Sequence, residues 1–129
     1  LYNQSEPQSV ESIQHIQALA KQLQIEVISL PVNTSADVQL VTNSLLGKGI
    51  NAFFANPDNT IFASFETIVK ACTDAGVPIF TSESGLVRRG AVAGFGANMY
   101  QWGHQAGEQA ATFLQQGNAN GLQWQMVQV

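Results

Sequence analysis

The stretch Asn51-Ala-Phe-Phe-Ala-Asn-Pro-Asp-Asn-Thr60 is a short apolar run that ends abruptly in polar, turn-forming residues. A strand that is buried in a parallel sheet has a continuous apolar sequence of this kind. The polar residues then follow the carboxyl end of a strand, which is the edge where ligands bind in open α/β sheets. The same order occurs at the start of the chain, where the polar loop 4–9 follows the strand-like residues 1–3. Two polar loops on one sheet edge predict a binding cleft rather than a catalytic pocket.

The composition is that of one globular domain with few charges. The chain has 129 residues, of which 45% are hydrophobic and 11% are charged, and its net charge is −4. A chain of this length can bury a core, and the lack of a basic cluster beyond Arg88 and Arg89 argues against a nucleic-acid partner. Cys72 is the single cysteine, which excludes a disulfide framework and a cysteine-based metal site. Its place on the apolar side of a helix predicts a buried structural thiol.

Strand-like and helix-like segments alternate along the chain. Ser9 is predicted to be the N-cap of a helix that continues to Leu23, and Thr34 or Ser35 is predicted to cap the next helix. Gly76 is predicted to end the third helix. The predicted strands are residues 1–3, 25–32, 50–55, 77–81, 91–95 and 122–129, and the predicted helices are 10–23, 36–46, 60–75, 85–89 and 100–116.

The regular alternation of strands and helices up to residue 81 predicts a parallel sheet with helices on both faces. We therefore predict an α/β fold, a three-layer sandwich with a mainly parallel sheet. Segments 25–30, 50–55 and 77–80 are predicted to be interior strands, because amphipathic helices of crossover length separate these apolar runs. An antiparallel pairing among these three segments would contradict the prediction.

Several segments along nearly the whole chain match the sequence pattern of one protein family, and they occur in the same order as in that family. The first is Tyr2-Asn-Gln-Ser-Glu-Pro-Gln-Ser9, where the family usually has Tyr-Asn-Pro-x-Glu-x-Asn-Ser. The others are residues 36–47, Asn56-Pro-Asp-Asn-Thr60, Val77-Pro-Ile-Phe-Thr-Ser82, Val87-Arg-Arg-Gly-Ala91 and Tyr100-Gln-Trp-Gly-His-Gln-Ala-Gly107. With these segments the chain resembles the ABC-transporter substrate-binding proteins of the uncharacterised-transport type, some of which take up aromatic amino acids. It departs from the family pattern at Gln4, Gln8 and Asn98.

The resemblance implies one lobe of a two-lobed, type I periplasmic-binding-protein fold, in which a ligand is held between two α/β lobes. Residues 1–82 would form the main part of one lobe, residues 83–116 would belong to the partner lobe, and residues 117–129 would return to the first lobe as a strand. The chain would then be a C-terminal fragment. We expect such a fragment to bind solute weakly by itself and to self-associate through uncovered apolar surface.

The function that the resemblance implies is capture of a small solute, an amino acid and for some family members an aromatic one, for an ABC importer. The partners would be the small-molecule ligand and the ABC transporter permease, with no cofactor. The protein would be periplasmic or otherwise extracytoplasmic and membrane-anchored as a lipoprotein, with a leader that this chain does not contain. The sequence has no Gly-x-Ser-x-Gly elbow and no other nucleophile–base set, so an enzyme is not expected. The alternative is the effector-sensing domain of a transcription regulator, which shares the two-lobed design.

The candidate ligand-binding residues lie at predicted strand ends. Free amides at a helix N-terminus attract a carboxylate, and an aspartate can pair with an ammonium group, although Ser, Asp and Asn also cap helices and form turns. An aromatic side chain at such an edge either stacks on a ligand ring or packs in the core. A histidine and a glutamate at helical spacing, His104 and Glu108, are more typical of a solvated helix face than of a metal site. The candidate ligand-binding residues are Tyr2, Asn3, Ser9, Asn56, Asp58, Asn59 and Glu83.

Overall fold

The computed structural model describes residues 1–126 and arranges them in an α/β fold. Within these residues there is one 3-10 helix, Ser84–Arg89, which follows the fourth strand. The strands are β1 (Tyr2–Asn3), β2 (Pro31–Val32), β3 (Phe53–Ala55), β4 (Ile79–Thr81) and β5 (Ala93–Gly94). The α-helices are α1 (Pro7–Gln22), α2 (Val38–Leu46), α3 (Asn59–Ala63), α4 (Phe65–Ala75) and α5 (Met99–Gln116).

Every strand pair within residues 1–126 is parallel. Strand β1 pairs with β2, with Tyr2 opposite Pro31, and β4 lies between β3 and β5. The pairing of β3 with β4 places Phe53 opposite Ile79. The predicted α/β class with parallel strands is therefore confirmed. The prediction of three interior strands holds only for segment 77–80, because segment 50–55 gives the edge strand β3 and residues 25–30 form no strand.

The paired strands are shorter than predicted, and hydrogen bonding explains why. With Tyr2 opposite Pro31, residues 25–29 lie opposite no residue of this chain, so the predicted strand 25–32 is confined to its last two residues. Strand β3 begins at Phe53 rather than at residue 50. The Phe53 amide donates to the Pro78 carbonyl at 2.9 Å, but Pro78 has no amide hydrogen with which to continue the ladder. Residues 122–126 are irregular instead of a strand, and residues 127–129 lie outside the described residues.

Helix α1 begins before Ser9, which corrects the predicted N-cap. Glu6 has the extended backbone of an N-cap residue, and Pro7 stands at the first helical position, where a missing amide hydrogen costs nothing. Ser9 therefore lies inside the first turn, and its side chain is completely buried. Its hydroxyl is used in the polar contacts described below.

Two further helix boundaries differ from the sequence-based expectation. Thr34 donates its amide and its hydroxyl to Asp37 Oδ2, at 3.1 and 3.0 Å, so Asp37 rather than Thr34 or Ser35 precedes helix α2. The predicted helix 60–75 is interrupted at Ser64, whose amide bonds to the Ile61 carbonyl three residues back. Gly76 ends α4 in the left-handed conformation at φ +68°, which confirms that prediction.

The main core lies between the sheet and the helix pair α2 and α4. Alternating strand residues point to opposite faces, so Phe53 faces this core while Phe54 faces the other side. Cys72 is fully buried in the core, as predicted. On the other side of the sheet, an open groove of about 790 Å³ separates α1 from Phe54 and Phe80. The helices on the two faces correspond to the predicted three layers.

The segment that follows β4 is attached to this same core. Leu86 of the 3-10 helix is buried in the core cluster. Arg89 donates to Glu66 Oε1 at 2.8 Å and to the Phe62 carbonyl at 2.9 Å, and its guanidinium lowers the pKa of Glu66. Strand β5 then joins the edge of β4. Residues 84–94 therefore pack on the sheet formed by the preceding strands.

None of the residues of helix α5 is buried, so this helix packs little against the other described elements. Its exposed apolar side chains include Tyr100 and Leu114, which are 80% and 77% exposed. Among residues 1–126, no helix combines the length and the apolar content that are needed to cross a lipid bilayer.

Candidate functional site

The two polar loops that the sequence singled out lie side by side in the structure. The Asn3 amide at the end of β1 donates to Asp58 Oδ2 beyond the end of β3, at 2.6 Å. Asn3 Nδ2 also donates to Thr60 Oγ1 at 2.9 Å. Strand β1 pairs with β2 in a two-stranded sheet, whereas β3 pairs with β4 in a separate three-stranded sheet, so the strand order runs in opposite directions from the junction of β1 and β3. A crevice at such a switch point is where open α/β sheets bind ligands.

Asp58 is the centre of these contacts. Its side chain is 1% exposed, and Oδ2 accepts from the Asn3 amide and from Ser9 Oγ, each at 2.6 Å. Its other oxygen, Oδ1, accepts from the amides of Thr60 and Ile61 at 2.9 and 3.1 Å and so caps helix α3. Four donors from the protein therefore surround the carboxylate, as a buried charge requires.

Ser9 and Asn56 extend these contacts beneath the loops. Asn56 Nδ2 donates to Ser9 Oγ at 2.8 Å and to the Ser9 carbonyl at 3.0 Å, and Asn56 Oδ1 accepts from Ser12 Oγ at 2.7 Å. Both side chains are buried. We call Asn3, Ser9, Asn56 and Asp58 the buried network. Its members hold the ends of β1, β3 and α1 together through hydrogen bonds to one another and to neighbouring residues.

Asn59 and Glu6 form the exposed layer above the buried network. The Asn59 amide and Nδ2 each donate to Glu6 Oε2 at 3.1 Å. Glu6 was absent from the candidate residues, although it lies between the candidates Asn3 and Ser9 in the first family segment. Its role could have been suspected from that position, but its contact with Asn59 joins residues 53 positions apart.

Tyr2 and Glu83, the remaining candidates, are both half-buried. The Tyr2 ring lies partly exposed at the end of β1. Its hydroxyl accepts a hydrogen bond from Gln4 Nε2 at 3.5 Å. Glu83 follows β4 at the same sheet edge, and its Oε1 accepts from the Gly85 amide at 2.8 Å. The structure thus brings all seven candidates to one edge, while direct contact of each with a ligand stays a prediction.

The first amides of helix α3 are already bonded within the protein. Asp58 receives the amides of Thr60 and Ile61, and Glu6 receives that of Asn59. Helix α1 begins with Pro7, which has no amide hydrogen. The expected group of free amides for a ligand carboxylate is therefore not present at α3.

His104, Glu108 and Cys72 are titratable side chains outside the seven candidates. His104 Nδ1 lies 3.6 Å from Glu108 Oε1, and both side chains are exposed on α5. In the part of the chain that the structure describes, no three His, Cys, Asp or Glu side chains are grouped so that they could hold a metal ion. Burial raises the pKa of the Cys72 thiol to about 11, which keeps it in the unreactive protonated form at neutral pH.

Comparison with known proteins gives one family for nearly the whole chain. A family model described as "ABC transporter substrate binding protein" matches residues 1–128. A protein of Clostridioides difficile (strain R20291) named "Tyrosine-binding protein" is 33% identical over 115 residues. That match covers 89% of this chain and 33% of the relative, so the chain spans about a third of the relative's length.

Solved structures share the fold. A conserved domain protein from Vibrio cholerae is 30% identical with a TM-score of 0.82, and the match covers 88% of this chain and 38% of that one. An ABC domain from Streptococcus pneumoniae, solved in complex with L-Trp, is 23% identical with a TM-score of 0.81 and the same coverage. Both similarities are restricted to a little over a third of the larger chain, which agrees with a partial-lobe architecture.

Proposed function

Because this chain belongs to the ABC transporter substrate-binding protein family, we propose that it captures an aromatic amino acid for an ABC importer and does not transform it. The observation that carries the proposal is the junction of the β1 and β3 loops at the switch point, where Asn3 and Asp58 are hydrogen-bonded. The 33% identical relative that is named a tyrosine-binding protein supports an aromatic ligand.

The shape of the edge supports binding of a small solute. The buried network fixes the loops from below, so the exposed groups above it are held in place before a ligand arrives. Such preorganisation increases affinity because fewer side chains must be ordered on binding. Tyr2 offers a partly exposed ring for stacking, and Glu6 and Asn59 offer polar groups at the same edge. None of these contacts pairs a nucleophile with a base.

We further propose that the chain supplies one lobe of a two-lobed binder. Residues 1–82 form its main part, and residues 84–94 extend its sheet through β5. Helix α5, within the segment 83–116, is then the part that reaches the partner lobe, since none of its residues is buried here. The segment 117–129 would return to the first lobe. The isolated chain would bind solute weakly, because the second lobe completes the enclosure.

The proposed role places the whole protein outside the cytoplasm, anchored to the membrane through a leader, where it delivers its solute to the permease. The chain would contribute to that complex as part of the binding protein. Secretion and docking are both testable on the full-length gene product, by fractionation of cells and by co-purification with an ABC transporter permease of the same organism.

A thermal-shift screen of the full-length gene product against single amino acids tests the ligand. A ligand that binds only the folded state raises the unfolding temperature as its concentration exceeds Kd. We expect L-tyrosine or L-tryptophan to raise it, and glycine and L-lysine to leave it unchanged. No shift with any amino acid would refute amino-acid capture. Chemical turnover of the bound solute would favour an enzyme, and specific operator binding would favour the transcription-regulator alternative.

A further inference from the structure

The carboxylate that would hold the ammonium group of an amino-acid ligand can be identified from the free lone pairs at the binding edge. An ammonium group needs an anionic acceptor that solvent can reach and whose oxygens are not all occupied. Four carboxylates follow the carboxyl ends of strands: Glu6 after β1, Asp37 after β2, Asp58 after β3 and Glu83 after β4. Only their surroundings distinguish them.

Asp58 is the least available of these groups. Its four hydrogen bonds come from the protein, and its side chain is 1% exposed. A ligand could reach it only by breaking the contacts that join β1 to β3. The sequence favoured Asp58 as the partner of an ammonium group, but its geometry makes it a positioning residue.

The hydrogen bonds that the carboxylates of Asp37 and Glu83 accept come from residues of their own loops. Both hydrogen bonds that Asp37 accepts come from Thr34, in the loop after the outer strand β2. Glu83 folds over the first turn of the 3-10 helix, where a Cβ atom on Gly85 would lie 2.9 Å from its Oε2. Neither group connects the two loops that meet at the switch point.

Glu6 connects those two loops. Its Oε2 accepts from the Asn59 amide, from Asn59 Nδ2 and from Gln8 Nε2, at 3.1, 3.1 and 2.6 Å. Its Oε1 accepts from Thr60 Oγ1 alone among the described residues, at a long 3.4 Å. The side chain is half-buried, and none of the ion pairs found within residues 1–126 includes it. Glu6 is therefore held by one oxygen while the other keeps free lone pairs.

From this geometry we infer that Glu6, rather than Asp58, receives the ammonium group of the ligand and selects amino acids over solutes that lack it. The inference rests on the proposed function. Glu6 lies at the end of β1, beside the polar loop of β3, where the switch point opens. Because Asn59 and Gln8 fix the carboxylate in advance, the ligand meets an ordered anion.

The test compares L-tyrosine with 3-(4-hydroxyphenyl)propanoate, which lacks only the amino group, by calorimetry on the full-length gene product. A charge-assisted hydrogen bond is strong enough that the unaltered protein should prefer L-tyrosine by about 10- to 100-fold. In Glu6→Gln this ratio should fall towards one, with a smaller effect on the affinity for the propanoate. The exposed Glu26→Gln is the matched control that should keep the ratio, and Glu83→Gln tests the competing carboxylate at the same edge.

The outcomes separate the two proposals. If the unaltered protein binds L-tyrosine and Glu6→Gln keeps the full preference, the assignment of Glu6 is overturned while amino-acid capture stands. If Glu83→Gln alone abolishes the preference, Glu83 is the ammonium partner instead. If the unaltered protein binds no amino acid, the proposed function fails and the assignment fails with it. Glu6→Ala provides a second variant in case the amide at position 6 disturbs folding, and circular dichroism establishes which variants are folded.

Discussion

The Asn3 amide nitrogen lies 2.6 Å from Asp58 Oδ2, although 55 residues separate them in the sequence. This hydrogen bond joins the carboxyl ends of β1 and β3, which are not paired with each other as strands. The same carboxylate caps α3 and accepts from Ser9 in the first turn of α1. One side chain therefore sets the relative positions of the loops that we propose as the binding edge.

We expect Asp58→Asn to destabilise the protein by about 2 to 3 kcal/mol, because an amide nitrogen would face donors that need an acceptor in a buried site. The free energy of unfolding in urea, followed by circular dichroism, measures this. Asp74→Asn removes the same charge from a solvent-exposed pair with Lys70 and should leave stability nearly unchanged. Equal effects of the two substitutions would contradict the role of Asp58.

The fold could be predicted from the sequence because its signals are local. The apolar run before Asn56 and the glycine at position 76 each specify a strand or a helix end within a few residues. Strand lengths could not be predicted in the same way. They depend on which residue lies opposite, as the pairing of Tyr2 with Pro31 shows.

The site could be located from sequence, but the direction of its side chains could not. Polar residues after a strand indicate the sheet edge, yet the same residue types bind ligands and cap helices. Asp58 turns inward because donors from residues 3 and 9 meet it in three dimensions. Glu6 was overlooked for the same reason, since its partner Asn59 is distant in sequence.

Gly96 is expected to tolerate no side chain. A Cβ atom at this position would overlap the carbonyl oxygen of Ser82, so the segment after β5 would have to move away from the end of β4. We expect Gly96→Ala to lower stability by about 1 to 3 kcal/mol. Gly103→Ala is the control, because Gly103 lies in α5 with open space around it and alanine favours a helix. A neutral Gly96→Ala would contradict the close approach.

In contrast to Gly96, a substitution at Thr42 is expected to stabilise the folded protein. Its Oγ1 is buried in α2 without a hydrogen-bond partner among the described residues. An unpaired buried hydroxyl costs free energy, so Thr42→Val should raise stability by roughly 1 kcal/mol. Thr67→Val, at an exposed position in the first turn of α4, is the comparison and should not raise stability. A loss of stability in Thr42→Val would show that the hydroxyl is satisfied.

Cys72 should react with a thiol reagent only after unfolding. Burial raises the pKa of its thiol from 9.0 to about 11, so the thiol is protonated at neutral pH. Because the folded-state pKa is the higher one, the associated stability is complete below pH 9 and is lost as the pH rises towards 11. Labelling with a disulfide reagent at pH 7.5, with and without urea, measures this. Rapid labelling of the folded chain would contradict a buried thiol.

The isolated 129-residue chain is expected to self-associate through helix α5. Trp102 and Phe113 are 54% and 44% exposed on a helix that has no buried residue, and exposed apolar patches of this kind usually find a partner. A second copy could cover them by exchanging α5, as in domain swapping. Sedimentation velocity over a range of concentrations should show dimers or larger species.

The double substitution Trp102→Glu with Phe113→Glu should shift this chain towards the monomer, because it places charge on the apolar side of α5. Gln101→Glu with Gln115→Glu adds the same charge to exposed polar positions of the helix and should leave association unchanged. Calorimetry with L-tyrosine on the same samples should show weak binding, since one lobe provides only part of the enclosure. A strict monomer with tight affinity would show that the cleft is already complete in these residues, and the one-lobe proposal would then be wrong.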